Sequence, residues 1–511
     1  MLVAGVDCST QSTKVVLCRA EDGTIVGEGT APHPDGTECD PRHWWRALGE
    51  AGAGLLERAG AVGVAAQQHG MVPLDEDGAV VRPAILWNDM RSAPQARALA
   101  AELGGPGEWA RRTGSVPTMS FTVTRLRWLA ECEPASAART ACVVLPHDWL
   151  SWRLRGGPGE SGEADPGTRW PREGPDTGAR PVTDRGDASG TGYFATAKGE
   201  WLPEIAETAI GHPLRLPRVA GPGEVTGETG WGAAVSAGTG DNMGAALGLG
   251  VGEGDVVVSI GTSGTGYSVT GIPAADATGA VAGFADATGR YLPLVATVNA
   301  ARVLTVTAGL LGTDTAGLTE LALAAPPGAG GLTLLPYLDG ERTPNRPGAS
   351  GVLSGLTSSS VTRENLARAA VEAVLCSLAD GIDHLAACGL GGPPGGQGGS
   401  SPQGSTAGGR PPGQAQWPER VVLIGGAARS PAIRAIAPAI FGVPVTVPEP
   451  AEYVALGAAR QAAWALSGTA EPPEWPGPPA TSYTGEPSAD VRERYAALRE
   501  DTAPWHERNS Q

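Results

Sequence analysis

Leu2-Val-Ala-Gly-Val-Asp-Cys-Ser-Thr-Gln-Ser-Thr-Lys-Val-Val-Leu17 opens the chain as an apolar strand, a turn crowded with hydroxyls and a second apolar strand. The same shape returns at Asp255-Val-Val-Val-Ser-Ile-Gly-Thr-Ser-Gly-Thr-Gly-Tyr-Ser-Val269. One such unit opening each half of a chain predicts a duplicated fold. Turns favour small polar residues anyway, but two hydroxyl-rich turns at equivalent places in a repeat are more than turn chemistry requires. Hydroxyls and exposed amides in a tight turn cradle phosphate oxygens, so a phosphate chain is expected between the two halves. Just ahead of the second copy, Val235-Ser-Ala-Gly-Thr-Gly-Asp-Asn-Met-Gly-Ala-Ala-Leu247 delivers one carboxylate, Asp241, to the start of a helix. A lone carboxylate beside such a cleft is what phosphoryl transfer to an alcohol needs.

Outward from the hairpins, strands alternate with helices. Residues 24–30 read as a third strand, and Asp40-Pro41 starts a helix whose Trp44, Trp45, Leu48, Leu55 and Leu56 fall on one face, with Asp as N-cap and Pro in the first turn. Strands are expected at 61–66, 71–74 and 141–145, and helices at 92–102 and 121–131; a further helix follows, capped by Asp148. The second half repeats the order: strand 291–296, a helix to Leu311, a long helix 362–387, strand 420–424 and a helix from Ser430-Pro431 that Pro438 would kink or shorten. The pattern is α/β, with two similar domains and a cleft between them, the preferred place for small-molecule sites.

With 511 residues the chain exceeds one ordinary core, and 41% hydrophobic residues suffice for burial. The net charge of −17 argues against nucleic acid or an anionic membrane as partner, and no apolar run has transmembrane length. Asp7 interrupts the place where a secretory signal would put its apolar stretch. The seven cysteines, an odd number with no C-x-x-C pair, read as reduced thiols in a cytoplasmic protein. Residues 156–180 and 389–416 are Gly/Pro-rich and poor in large apolar side chains, which makes them expected surface insertions. Residues 469–487 read as a linker before a final helix at 490–501.

Several residue groups could carry chemistry, each with an ordinary alternative. Asp7 ends the first strand, and Thr10, Ser12 and Lys14 lie in or beyond the turn; they suit a hydrated Mg²⁺ and phosphate oxygens, or an ordinary polar hairpin. Gly261, Thr262, Ser263 and Gly264 form the second such turn. Gly425, Gly426 and Ala427 follow a buried strand and precede a helix, which suits a nucleotide on a helix N-terminus or a plain strand–helix turn. Asp241 is either a helix N-cap or the acceptor of a hydroxyl proton. Gln68 and His69 follow a strand, and Trp87 and Asn88 follow an apolar run; amides, an imidazole and an indole can hold the hydroxyls and apolar face of a sugar, or serve as strand-end and core residues. Asn242 sits beside Asp241. His147 and Asp148 read as cap and turn residues without a further role.

Taken in order, these motifs resemble the FGGY family of carbohydrate kinases, in the actin–hexokinase–heat-shock ATPase superfamily, and within it the xylulokinases. The family's second signature is visible from Gly351-Val-Leu-Ser-Gly-Leu356 through Asn365-Leu-Ala-Arg-Ala-Ala-Val-Glu372, and its first is approximated by Ser120-Phe-Thr-Val-Thr-Arg-Leu-Arg-Trp-Leu129, with Arg125 in the usual lysine place. The narrower likeness rests on Asp40-Pro-Arg-His-Trp-Trp45, Gln68-His69-Gly70, Ile85-Leu-Trp-Asn-Asp89, Leu145-Pro-His-Asp-Trp149, Gly238-Thr-Gly-Asp-Asn242 and Leu335-Pro-Tyr-Leu-Asp-Gly-Glu-Arg-Thr-Pro344.

The resemblance implies two actin-like, ribonuclease H-like domains, 1–247 on the sugar side and 248–466 on the nucleotide side, with 467–511 as linker and terminal helix. It implies ATP and Mg²⁺, with Asp241 as proton acceptor and Asp7 at the metal. Gln68, His69, Trp87, Asn88 and Asn242 would meet the sugar. Thr10, Ser12, Lys14 and Gly261 to Gly264 would face phosphates, and Gly425 to Ala427 the adenosine. D-Xylulose is the implied acceptor, with ribulose, a polyol or gluconate as the same-class alternative and a non-catalytic sugar or nucleotide sensor as the rival of another class. A homodimer is one open option for the assembly. Three positions depart from the family pattern: Ala427 replaces a glycine, Thr239 replaces another, and Thr196 stands where an aspartate is common.

Overall fold

The computed structural model describes residues 1–157, 180–390 and 417–509. Most of the two Gly/Pro-rich segments therefore lies outside the described residues. The chain divides into two compact units that interleave in sequence. The first comprises residues 1–251, 273–293 and 450–478; the second comprises 252–272, 294–449 and 479–511.

In the first unit the opening strands Leu2–Cys8 and Ser12–Arg19 pair antiparallel, and Ser12–Arg19 pairs on with Ile25–Pro32. On the other side Leu2–Cys8 runs parallel to Ala61–Ala66, and Ala234–Ser236 and the short Thr239–Gly240 also lie parallel to Ala61–Ala66. The second unit repeats the order. Asp255–Ile260 pairs antiparallel with Gly264–Tyr267, which pairs with Tyr291–Thr297; on its other side Asp255–Ile260 runs parallel to Arg420–Ile424. Both sheets are therefore a three-stranded meander joined to parallel strands, as the repeated hairpin predicts. Their central strands are buried along almost their whole length, the mark of a sheet covered on both faces.

One face of the first sheet is covered by the helix Pro41–Ala51, whose Trp44 and Leu48 are fully buried with Trp149 nearby. Asp40 caps it by accepting the Arg42 amide at 2.9 Å. The helix is shorter than the apolar pattern suggests: it stops at Gly52, and Leu56 belongs to a separate 3₁₀ turn. The other face is covered by Tyr453–Ser467, a helix more than 380 residues away in sequence from Leu2–Cys8 and Ala61–Ala66, on which it packs. Close approach explains its composition. A Cβ on Gly5 would lie 1.8 Å from the Ala455 carbonyl oxygen, and one on Gly63 would lie 2.1 Å from that of Ala458.

Further differences from the sequence expectations have local causes. Pro106–Thr113 forms an unexpected helix, with Pro at its start and Gly114 in the left-handed region at its end. Pro438 does not shorten its helix, which continues to Phe441 because the proline falls in the last turn. The expected linker 469–487 contains the strand Ala480–Tyr483, which completes the second sheet by pairing with Val445–Pro448. The final helix is longer than expected, spanning Ala489–Asn509. None of the seven cysteines forms a disulfide. Among the described residues no helix is long and apolar enough to cross a membrane.

Candidate active site

Strand register gathers the first unit's candidates. Asp7 sits opposite Ala65 and Cys8 opposite Ala66 on one parallel pair, while Thr239 and Gly240 sit opposite the same two alanines on the other. Three parallel strands thus end together, so the residues leaving them, Asp7 to Ser9, Gln67 to His69 and Asp241, come to one place. Carboxyl ends of parallel strands are where α/β sheets put ligands.

Asp241 is the first residue of the helix Asp241–Leu249, and the N-cap position belongs to Gly240. Its Oδ1 accepts the Asn242 amide and the Asn242 side chain, each at 2.8 Å. Burial, then the neighbouring charge of Asp7, pushes its carboxyl up to about 7. Asp7 itself is raised to about 6 by burial, against the Ser9 hydroxyl that donates to it at 2.5 Å. The Lys14 ammonium stands 3.9 Å from Asp7 and 2.6 Å from Glu452. The buried carboxylate of Asp7 beside the half-buried one of Asp241, with little compensating charge, fits a divalent cation of the Mg²⁺ type.

Of the polar residues expected at a sugar, Asn242 and Gln68 are linked to Asp241. Asn242 donates to the Gln68 side chain at 3.5 Å, and Gln68 donates to the Gly186 carbonyl at 3.5 Å. His69 has φ of +68°, rare for a residue with a side chain. Its ring lies 4.9 Å from Phe121 and 5.6 Å from Phe284, with Nδ1 2.7 Å from the Gly190 carbonyl oxygen. Its carbonyl accepts from Arg125 at 2.9 Å and Thr122 at 3.3 Å, so the strained backbone is fixed from below. Trp87 is exposed and donates to Thr10 at 2.9 Å; Asn88 is exposed and reaches the Gly36 carbonyl at 3.4 Å. Ser12 begins the second strand, partly buried.

In the second unit Ser259 of the central strand sits opposite Ile424 of its parallel neighbour, which places the turn Gly261 to Gly264 beside the turn Gly425 to Ala427. Thr262 and Ser263 are exposed, as are Gly425 and Gly426. Gly425 has φ of +92°, and a Cβ there would lie 2.7 Å from the Ile260 carbonyl oxygen, so only glycine fits. Nothing lies within 4 Å of a Cβ placed on Gly426, and the Gly426 face is open.

Comparison with known proteins meets this geometry. The N-terminal domain of the FGGY family of carbohydrate kinases matches residues 2–250, and its C-terminal domain matches residues 256–466. The chain belongs to the FGGY family of carbohydrate kinases. It is 44% identical over 482 residues to the xylulose kinase of Streptomyces coelicolor, covering 91% of this chain and 88% of that protein. It is 43% identical to the xylulose kinase of Streptomyces rubiginosus, over 100% of this chain and 98% of that one. The crystal structure of xylulose kinase from Bifidobacterium adolescentis superimposes with a TM-score of 0.84 at 43% identity, covering 98% of this chain and 99% of the other.

The structure of this carbohydrate kinase also brings in residues that sequence reading passes over. Glu452 joins Lys14 across a separation of 438 residues. His147 and Asp148 are not turn residues: the helix begins at Pro146, both lie in its first turn, and both are fully buried. Asp148 accepts the Leu145 amide at 2.8 Å, and His147 Nδ1 lies 2.5 Å from Asp187 Oδ2. The clue in the sequence was Asp184-Arg-Gly-Asp187, two acids at helical spacing just before Ser189-Gly-Thr-Gly192.

Proposed function

We propose that this kinase transfers the γ-phosphoryl group of ATP to the 5-hydroxyl of D-xylulose, giving D-xylulose 5-phosphate and ADP, with Asp241 as the proton acceptor. The observation that carries the assignment of roles is the placement of Asp241 at the end of the parallel strands, raised to about 7 and next to Asp7. A carboxylate poised near neutrality can take a hydroxyl proton at working pH and is still ionised in a useful fraction. As the hydroxyl oxygen bonds to the γ-phosphorus, the bond to the β,γ-bridging oxygen breaks and the proton passes to Asp241. Gln68, His69, Trp87, Asn88 and Asn242 read the sugar hydroxyls in the first unit. Mg²⁺, held by Asp7, would offset phosphate charge when bound. Thr10, Ser12 and Lys14 bind phosphate oxygens, as do the amides and hydroxyls of Gly261 to Gly264. Gly425 to Ala427 give the adenosine a flat approach, which the open Gly426 position supports.

Full-length similarity to xylulose kinases supports the choice of sugar. The test is ADP release measured across D-xylulose, D-ribulose, glycerol and gluconate. D-Xylulose is expected to show the highest kcat/KM, because a site that hydrogen-bonds each hydroxyl rejects analogues lacking one. A clear preference for glycerol or gluconate overturns the sugar and leaves the kinase.

A further inference from the structure

His147 is fully buried between two carboxylates: Nδ1 lies 2.5 Å from Asp187 Oδ2, and Nε2 lies 3.2 Å from Asp148 Oδ1. These three are the one group among the described residues whose donors lie close enough to share a metal. A single ion does not fit them, since the two nitrogens of one ring point outward to different acids. The ring is instead a bridge. Burial alone would hold it neutral, but the two carboxylates prevail and raise it to about 10.

An internal ion pair can simply join two helices. What lies against this one argues for more. The three residues before Asp241 lie against the cluster or its immediate neighbours. The imidazole fills the space at Gly238, where a Cβ would lie 2.3 Å from His147 Cδ2, and Gly238 has φ of +78°. The Thr239 hydroxyl donates to Asp184 at 3.1 Å. At Gly240 a Cβ would lie 3.0 Å from Asp187 Oδ1 and 2.7 Å from Gln68 Cγ. Gln461 completes the clamp by donating to the Gly238 carbonyl at 3.1 Å. Asp187 Oδ1 is buried with no hydrogen bond of its own, so its place is set by the His147 contact made through Oδ2.

We propose that His147, clamped between Asp148 and Asp187, is a positioning residue that fixes the segment 238–240 and through it aims the carboxylate of Asp241. The proposal rests on Asp241 being the proton acceptor. A reacting group displaced by about 1 Å loses on the order of 10²-fold in rate, so a brace this close to the loop acts on turnover rather than on affinity.

A double-mutant cycle on the full-length enzyme tests it, using His147→Gln, Asp241→Asn and the pair. Readouts are kcat per folded molecule, KM for ATP, and xylulose affinity by calorimetry. His147→Gln alone is expected to lower kcat about tenfold to a hundredfold with KM for ATP unchanged. In the Asp241→Asn background the same change is expected to cost less than about twofold, because residues acting as a unit are not additive. Multiplicative losses, or an unchanged kcat with a lowered melting temperature, overturn the positioning role and leave Asp241 as the base. Wild-type turnover of Asp241→Asn overturns the reading beneath, whatever His147→Gln does. If His147→Gln does not fold, Asp187→Asn, which keeps shape and one acceptor, is read in the same cycle with the same outcomes.

Discussion

At the scale of single residues, the roles proposed for Asp7 and Asp241 couple catalysis to stability. Removing the base in Asp241→Asn should lower kcat about 10²–10⁴-fold while sugar binding persists, since asparagine keeps the shape. Steady-state kinetics with calorimetry checks this, and near wild-type turnover would reduce Asp241 to a scaffold residue. The pH dependence follows from the raised carboxyl. Turnover needs the ionised form, so kcat/KM should fall as pH drops below about 7. Stability has the opposite sign. Between the ordinary carboxylate range and about 7, the folded protein holds protons on Asp7 and Asp241 that the unfolded chain has released. Folding stability therefore declines as pH rises through that window. In metal-free buffer the melting temperature of Asp241→Asn should exceed that of the wild type at pH 8 and approach it at pH 5. A variant less stable than wild type at pH 8 contradicts this account. The candidates themselves were legible as residue types beside strand ends. The brace of His147, Asp148 and Asp187 was not, because Asp187 lies 40 residues beyond His147 and the other two alone read as cap and turn residues.

At the scale of elements, the hairpins were legible because apolar alternation and a hydroxyl-rich turn are local signals, and the register of Asp7 against Ala65 follows once the parallel strand is recognised. The short strand Ala480–Tyr483 was not, because its neighbours in sequence are prolines and glycines and its pairing partner lies far upstream, with Val445 opposite Tyr483. The helix Tyr453–Ser467 was not among the elements expected from the sequence. The reason for its alanines and glycines appears only against the strands and the helix Asp241–Leu249. A Cβ on Gly457 would lie 1.8 Å from the Gly244 carbonyl oxygen, and one on Gly248 would lie 2.1 Å from that of Tyr453. Two backbones this close cannot relax around a methyl group. Gly457→Ala, which improves helix propensity, should nonetheless destabilise the protein by about 1–3 kcal/mol or more through overpacking. It should also lower kcat, because the contact is to the helix that begins at Asp241. Urea unfolding against a Gly252→Ala control, where nothing lies within 4 Å, separates the two terms. Equal stability of Gly457→Ala and wild type would mean that the helices can part without cost.

At the scale of the molecule, the fold class and the duplication could be read from the chain, whereas the interleaving of the two units could not, since long-range returns leave no periodicity. Each unit is completed by a segment from the far end of the sequence. In the first it is Tyr453–Ser467, which seals Gly5 and Gly63. In the second it is Ala480–Tyr483 together with Ala489–Asn509, whose Tyr495 is buried and whose Arg492 and Arg499 pair with Asp380. Folding must therefore close very long loops before either core is complete, and such closure costs entropy that later contacts have to offset. Two truncations distinguish these roles. A chain ending after residue 478 keeps every segment of the first unit, so it should retain a cooperative thermal transition that D-xylulose shifts upward, as binding to the folded state requires, while ATP-dependent turnover is lost. A chain ending after residue 448 leaves the sheet face at Gly5 and Gly63 bare and should show no xylulose-dependent transition. Differential scanning calorimetry with and without sugar reads both. A sugar-stabilised transition in the shorter chain would mean that Tyr453–Ser467 is dispensable to the first unit, and that its close packing on the sheet is a consequence of folding rather than a condition for it.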